Sequence, residues 1–397
     1  MIKRILEHIR TLPDFDFKGR RAFVRVDFNC PMDRREVADN TRIASTIPTI
    51  RHILDHGGRV IIASHLGRPE GYEEEFSIKP VARELGQLLG EEVRVLPFDL
   101  GGEDPGSWKE SENRVLMTEN LRFYPGETRG DEDLASFLSE TADIYINDAF
   151  GASHRKHLSV YALPGYFTEK GIGFLVEKEL KAFCKVLKDP EKPYTVIMGG
   201  SKVSDKIKVL EHLLPVADQF LIGGAMAFTL LKAKGCDVGA SRVEEERLDT
   251  ARRILEEAER LKKDFILPVD HCLVKTVDRP GEKIYSRQIE TGYMGVDIGP
   301  ETVRLFSEFI RKAKTIVWNG PMGIFEIPDY AVGTNRVAEE VSRSGAYTVV
   351  GGGDSVRALR ALGVGDEVGH MSTGGGASLK LLEGNGLPGI NILLESP

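Results

Sequence analysis

One pattern governs what this chain can fold into. A short apolar run ends in Gly, Asn, Asp or His, an amphipathic segment follows, and the pair recurs from end to end. In the first half the runs are "RRAFVRVDFN", "GRVIIASHLGRP", "EEVRVLPFD", "NRVLMTENLRF" and "ADIYINDAFG". In the second they are "YTVIMGGSK", "QFLIGGAMAF", "DFILPVDHCLV", "KTIVWNGPMGIF" and "AYTVVGGGDS". Continuous β-branched and apolar runs alternating with helices predict parallel sheets covered on both faces. Val81, Leu85, Leu88 and Leu89 make one helical stripe, and Leu248, Ala251, Leu255, Ala258 and Leu261 another. Two such blocks in 397 residues exceed a single core. The expected fold is α/β, with two doubly wound, Rossmann-like parallel-sheet domains of similar size facing a central cleft. A helix over 174–188, closed by Asp-Pro, reads as a rigid connector. The Gly-broken tail is not placed by pattern.

Composition narrows the function. A net charge of −8 argues against a general nucleic-acid binder, so an anionic ligand must be drawn by a local basic patch. The N-terminal stretch is charged and lacks an apolar leader, and no run approaches the ~18 apolar residues of a membrane span. Cys30, Cys184, Cys236 and Cys272 form no CxxC pair or zinc-ligand spacing. The expectation is a cytoplasmic protein without nucleic-acid or membrane partners.

In open α/β sheets ligands sit beyond the carboxyl ends of the strands, so the residues closing each run are the ones to inventory. The first block supplies Arg25, Asp27 and Asn29, then His65 and Arg68, then Asn120 and Arg122, then His154, Arg155 and His157, with Arg42 in the first crossover. A lone Arg25 or Arg155 would be an ordinary solvated charge. Several cations converging on one sheet edge instead predict a cup for a small, multiply charged anion, because the guanidinium fork matches carboxylate and phosphate.

The second block carries three glycine-rich segments, "MGGSKVSDK", "VVGGGDSVRAL" and "STGGGASLKLL", each expected to open a helix and to present backbone N–H groups to phosphate. None has Walker A or G-x-G-x-x-G spacing. Lys202 and Lys206 are expected to share a face of the first turn after "GG", where cations oppose the macrodipole. Such a break in local logic is expected where a polyphosphate binds. Asp354 then suits Mg²⁺, which takes one or two carboxylates plus nucleotide oxygens. These residues leave open another phosphotransferase, a phosphatase or a two-lobed anion-binding protein.

Taken together, "RVDFNCP" (25–31), "DNTRI" (39–43), "SHLGRP" (64–69), "ENLRFYPGE" (119–127), "NDAFGASHRKHLS" (147–159), "GGSKVSDKI" (199–207), "GGAMAFTLL" (223–231), "DIGPET" (297–302), "VWNGPMGIFE" (317–326), "GGGDS" (351–355) and "STGGGAS" (372–378) resemble phosphoglycerate kinases, in the family's order. The resemblance implies a monomeric kinase of glycolysis and gluconeogenesis that moves a phosphoryl group between 1,3-bisphosphoglycerate and Mg-ADP, giving 3-phosphoglycerate and ATP. It implies a phosphoglycerate domain (1–172), a connecting helix (173–192), a nucleotide domain (193–378) and a tail (379–397) returning to the first domain. It assigns substrate binding to Asp27, Asn29, Arg42, His65, Arg68, Arg122 and Arg155. Nucleotide binding falls to Lys202, Lys206, Gly295, Asn319, Glu326, Gly352, Gly353, Asp354 and Ser355, with Asp354 also toward Mg²⁺. Arg42, Lys202, Gly374 and Gly375 would stabilise the moving phosphoryl. Cys30, Ser201 and Ser355 depart from the usual aliphatic, Ala and Thr.

Overall fold

The computed structural model describes residues 2–98 and 103–395; positions 1, 99–102 and 396–397 of the expected domains and tail lie outside them. Two compact units are present, Met1–Lys181 with Gly386–Pro397, and Ala182–Asn385.

In the first unit β1 (Arg21–Val26), β2 (Arg59–Ala63), β3 (Val93–Val95), β4 (Val115–Met117), β5 (Ile144–Asp148) and β6 (Lys170–Ile172) form one parallel sheet in the order β3-β4-β2-β1-β5-β6. Every residue of β1 is buried, as its unbroken apolar run requires of a central strand covered on both faces. Val24 lies level with Ile62 and Ile146 on its neighbours. The chain returns to opposite sides of β1, so the carboxyl ends of β1, β2 and β5 flank a topological switch point. The short β6, with its Lys and Gly, has no strand-like pattern in the sequence.

The second unit contains β7 (Tyr194–Met198), β8 (Gln219–Ile222), β9 (Asp264–Ile266), β10 (His271–Val274), β11 (Ile284–Ser286), β12 (Met294–Ile298), β13 (Thr315–Asn319), β14 (Tyr347–Gly351) and β15 (His370–Met371). Its main sheet is parallel in the order β9-β8-β7-β13-β14-β15. Strands β11-β10-β12 form a separate antiparallel sheet that the sequence pattern did not announce. The run "DFILPVDHCLV" is divided between the two sheets, because "PVD" turns the chain out of the first.

Four helices position the functional residues: α1 (Phe174–Lys188), α2 (Ile207–Leu213), α3 (Gly353–Ala361) and α4 (Gly375–Leu382). The stripe at 248–261 packs through Ala251, Ile254 and Ala258. Fully buried Trp318, Ile197, Leu221 and Phe306 anchor the second core, and Val24, Phe28, Ile50 and Ile62 the first. Each such side chain contributes about 1.5–3 kcal/mol by leaving water. Among the described residues no helix is long and apolar enough to cross a membrane.

Candidate active site

Each unit carries a cluster of candidate site residues at or near strand carboxyl ends. In the first, Asp27 follows β1 and accepts from Arg42 Nη1 at 2.6 Å, while His65 Nδ1, just past β2, lies 4.0 Å from its other oxygen. Asn29 Oδ1 accepts the Gly67 N–H at 2.9 Å, which ties the loop after β1 to the loop after β2. Asn120 holds that second loop from the far side: its amide donates to Leu66 O and Phe76 O and accepts from the Leu66 and Arg122 N–H groups. Arg122 Nη1 donates to Gly67 O, and its Nε is buried without a partner.

Arg68, Arg122, Arg129, Arg155 and His157 line a concavity of about 570 Å³, with Glu70 the one carboxylate on its wall. Burial first, then nearby guanidiniums, pushes His157 down to about 4, and burial pushes His65 down to about 3. Both imidazoles are therefore neutral at pH 7, and the positive charge of the basin is guanidinium charge. Burial opposes ionisation of Asp27, yet His65, Arg42 and Arg25 hold its carboxyl below the usual range. With His65 neutral, the two arginines supply that field. Burial, then the nearby Arg155 and Arg68 guanidiniums, lowers the Arg122 pKa.

Arg25 is not the solvated charge that a lone strand-end arginine suggests. It is 1% exposed, because both faces of β1 are covered. Its Nε donates to Ser159 Oγ at 2.7 Å, and Nη2 lies 3.2 Å from His65 Nδ1. Glu127, equally buried, accepts the Ser159 N–H at 3.0 Å and hydroxyl at 2.7 Å, and sits 3.9 Å from both Arg25 and His157. Glu127 and Ser159 thus brace the basin from beneath. No local pattern announces either, since the contact spans 32 residues.

In the second unit the glycine turns stack closely. Gly199 and Gly200 donate to Asn319 O and Pro321 O, and Gly224 donates to Met322 O. A Cβ on Gly199 would lie 2.0 Å from Pro321 O, so only glycine fits. Lys206 Nζ, 9% exposed, donates to Asn319 Oδ1, and burial pushes its pKa down to about 8. Asn319 Nδ2 is buried without an acceptor, and a Cβ on Gly351 or Gly352 would come 3.2 Å from it. Gly375 approaches the Gly353 N–H, so the starts of α3 and α4 meet.

Lys202 does not share a helical turn with Lys206. The chain turns through 201–206, Lys206 caps α2, and Lys202 is exposed. Glu244 takes both the Ser204 N–H and its hydroxyl, which pulls this stretch out of helix. Ser355 is fully buried and its hydroxyl accepts the Gly320 N–H at 2.7 Å, so it supports the turn after β13 rather than facing outward. Gly374 is likewise buried, with its N–H on Ser372 Oγ.

Beside these turns opens a pocket of about 400 Å³. Gly295, Glu326 and Asp354 line it, with Gly200, Ser201 and Gly224; Lys202, Lys206, Asn319 and Ser355 do not. Its lining includes an apolar set, Phe228, Val277, Met294, Val296 and Ile324. A Cβ on Gly295 would fall 2.1 Å from Phe228 Cζ, so the tip of that ring occupies the space the glycine leaves. Asp297, pushed up to about 7 by burial, is occupied by the Gly333 and Ile298 N–H groups. His271, pushed down to about 4 by burial, is neutral, and its Nδ1 has no partner. Phe228, Arg242 and His271 escaped the sequence inventory because none closes a strand of the main sheet.

The family model described as "Phosphoglycerate kinase" matches residues 12–385. A phosphoglycerate kinase of Thermosipho africanus is 49% identical over 391 residues, covering 96% of each chain. One of Rubrobacter xylanophilus is 48% identical, covering 97% of this chain and 98% of its own. The solved phosphoglycerate kinase of Coxiella burnetii superposes with a TM-score of 0.89 at 36% identity, covering 97% of this chain and 98% of that one. That of Pyrococcus horikoshii gives 0.83 at 32%, covering 96% and 98%.

Proposed function

The chain belongs to the phosphoglycerate kinase family and is an enzyme of reversible phosphoryl transfer; from that premise we propose how its two half-sites divide the work. The first unit binds 3-phosphoglycerate or 1,3-bisphosphoglycerate through Asp27, Asn29, Arg42, His65, Arg68, Arg122 and Arg155. The second binds ADP or ATP through Lys202, Lys206, Asn319 and the 352–355 loop, with Gly295 and Glu326 along the pocket. The observation that carries this reading is the basin walled by four arginines in a chain of net charge −8.

Asp354 fits Mg²⁺ held jointly with a nucleotide. Its carboxylate is exposed on the first turn of α3, and one oxygen accepts from Arg357 at 3.0 Å. Bound there, the ion neutralises phosphate charge.

No general base is needed. The acceptor oxygen belongs to a carboxylate, ionised at pH 7 with an ordinary pKa near 4. The residues' task is alignment and charge stabilisation. Arg42, Lys202 and the backbone N–H groups of Gly374 and Gly375 gather round the moving phosphoryl in the reacting complex, for which the Gly374 N–H exchanges Ser372 Oγ for the phosphoryl. Water competes for that group, so the units close over both substrates, with the 173–192 connector and the tail as hinge. The protein acts as a cytoplasmic monomer. An assay supplying 1,3-bisphosphoglycerate and Mg-ADP, read as ATP formed, tests the reaction. ATP formation abolished by Arg122→Ala with Arg155→Ala supports the assignment, and undiminished turnover in that double variant refutes it.

A further inference from the structure

The nucleotide reading leaves one cation unused. Arg242 lines the second unit's pocket. Its position there follows from its neighbour: Ser241 Oγ accepts the Gly295 N–H at 2.9 Å, on the glycine that the Phe228 ring covers. Arg242 is exposed and, among the described residues, makes no hydrogen bond or ion pair. The three acidic groups lining the same pocket do not pair with it: Asp297 is held by backbone N–H groups, Asp354 pairs with Arg357, and Glu326 forms no ion pair with Arg242 among the described residues. His271, 4% exposed with its ring 5.5 Å from Phe228, adds a second polar group with an unmet bond. The apolar lining of Phe228, Val277, Met294 and Val296 suits a purine, and the glycine turns at Gly200 and Gly224 on the same pocket suit the phosphates.

Arginine offers donors only, in a fork. The edge of a 6-oxopurine presents two acceptors side by side, O6 and N7, which that fork matches, whereas adenine presents an amino donor beside N7. We propose that Arg242 is a specificity-determining residue that reads the six-position edge of the base and selects 6-oxopurine nucleoside diphosphates, GDP and IDP, over ADP. This deepens the nucleotide assignment above and rests on it.

The test measures kcat/KM for ADP, GDP and IDP with the wild type, Arg242→Met and Arg242→Lys, using 1,3-bisphosphoglycerate as donor. A good bidentate base contact is worth about 5- to 150-fold in discrimination. GDP and IDP are expected to be used at least as well as ADP by the wild type. Both variants are expected to lose at least about 5-fold on GDP and IDP relative to ADP, because lysine keeps the charge but not the fork. An unchanged GDP/ADP ratio in Arg242→Met overturns the proposal. So does a loss confined to GDP, which would place the contact at the 2-amino group that IDP lacks, or full retention in Arg242→Lys. Failure of all three nucleotides in the wild type overturns the nucleotide assignment itself, and this proposal with it. Arg242 is exposed, so both variants are expected to fold, which circular dichroism checks.

Discussion

Asp148 closes β5, is wholly buried, and spends one oxygen on the Leu175 and Val176 N–H groups at 3.0 and 3.2 Å, the first turn of α1. Its other oxygen has no donor in hydrogen-bond geometry among the described residues, and the Thr49 hydroxyl with these N–H groups only partly offsets the burial. Burial pushes its pKa from an ordinary 3.8 up to about 7. Below pH 3.8 folded and unfolded chains both hold the proton. Between there and pH 7 only the folded chain does, so stability falls as pH rises through that window and is flat above it. Each pH unit inside the window removes up to about 1.4 kcal/mol, so the whole interval sets a ceiling of about 4 kcal/mol and the step from pH 5.0 to 6.5 about 2 kcal/mol. Asp148→Asn keeps the accepting oxygen and discards the proton. The chain has two tryptophans, one in each unit. In a Trp318→Phe background, buried Trp108 therefore reports urea unfolding of the first unit alone. The stability of the protein with Asp148 intact, minus that of Asp148→Asn, should fall by about 2 kcal/mol from pH 5.0 to 6.5, with titrations common to both proteins cancelling. A difference constant to within about 0.5 kcal/mol would refute the argument that burial without a countercharge governs this carboxyl.

Gly295→Ala drives a methyl into Phe228, so the nucleotide KM should rise at least about 10-fold while phosphoglycerate KM holds, as initial-rate kinetics would show. Lys206 has its pKa pushed down to about 8, and bound phosphate favours its charged form. ADP affinity should therefore weaken as pH rises above 8, by up to about 10-fold per unit, and calorimetry should find proton uptake that Lys206→Met abolishes. Glu127→Gln leaves the Arg25 guanidinium buried without its countercharge and should cost about 3 kcal/mol in urea unfolding of the first unit. Arg42→Ala should lower kcat far more than it raises the phosphoglycerate KM; a change in KM alone would contradict a role in the transition state.

What was legible in the sequence was whatever a local period or a strand end could carry. Continuous apolar runs marked β1, β2, β5, β7, β13 and β14, and the residues after the first two supplied Asp27 and His65, whereas Asn319 came only from the resemblance. The helical period marked α1, ending at Lys188 before Asp-Pro. The antiparallel sheet escapes such a reading because "IYS" in β11 is short and half-exposed, and "MGVDI" in β12 contains a glycine whose purpose is to admit the Phe228 ring. The helical reading of Lys202 fails because a distant partner, Glu244, overrides the spacing. Glu127 and Ser159 act through a contact between segments far apart in the chain, and no local pattern encodes that.

The first unit is assembled from two stretches of chain with the whole second unit between them. Gly389 N–H donates to Ser153 O at 3.0 Å, and Asn147 Nδ2 donates to Gly389 O at 2.8 Å, where a Cβ would crowd Ser153 and Val160 O. During synthesis, the segment that seals this unit is translated only after the second unit is complete. The first unit thus waits for its last segment while the glycine-lined unit already has all its residues. Birth order and finishing order are reversed.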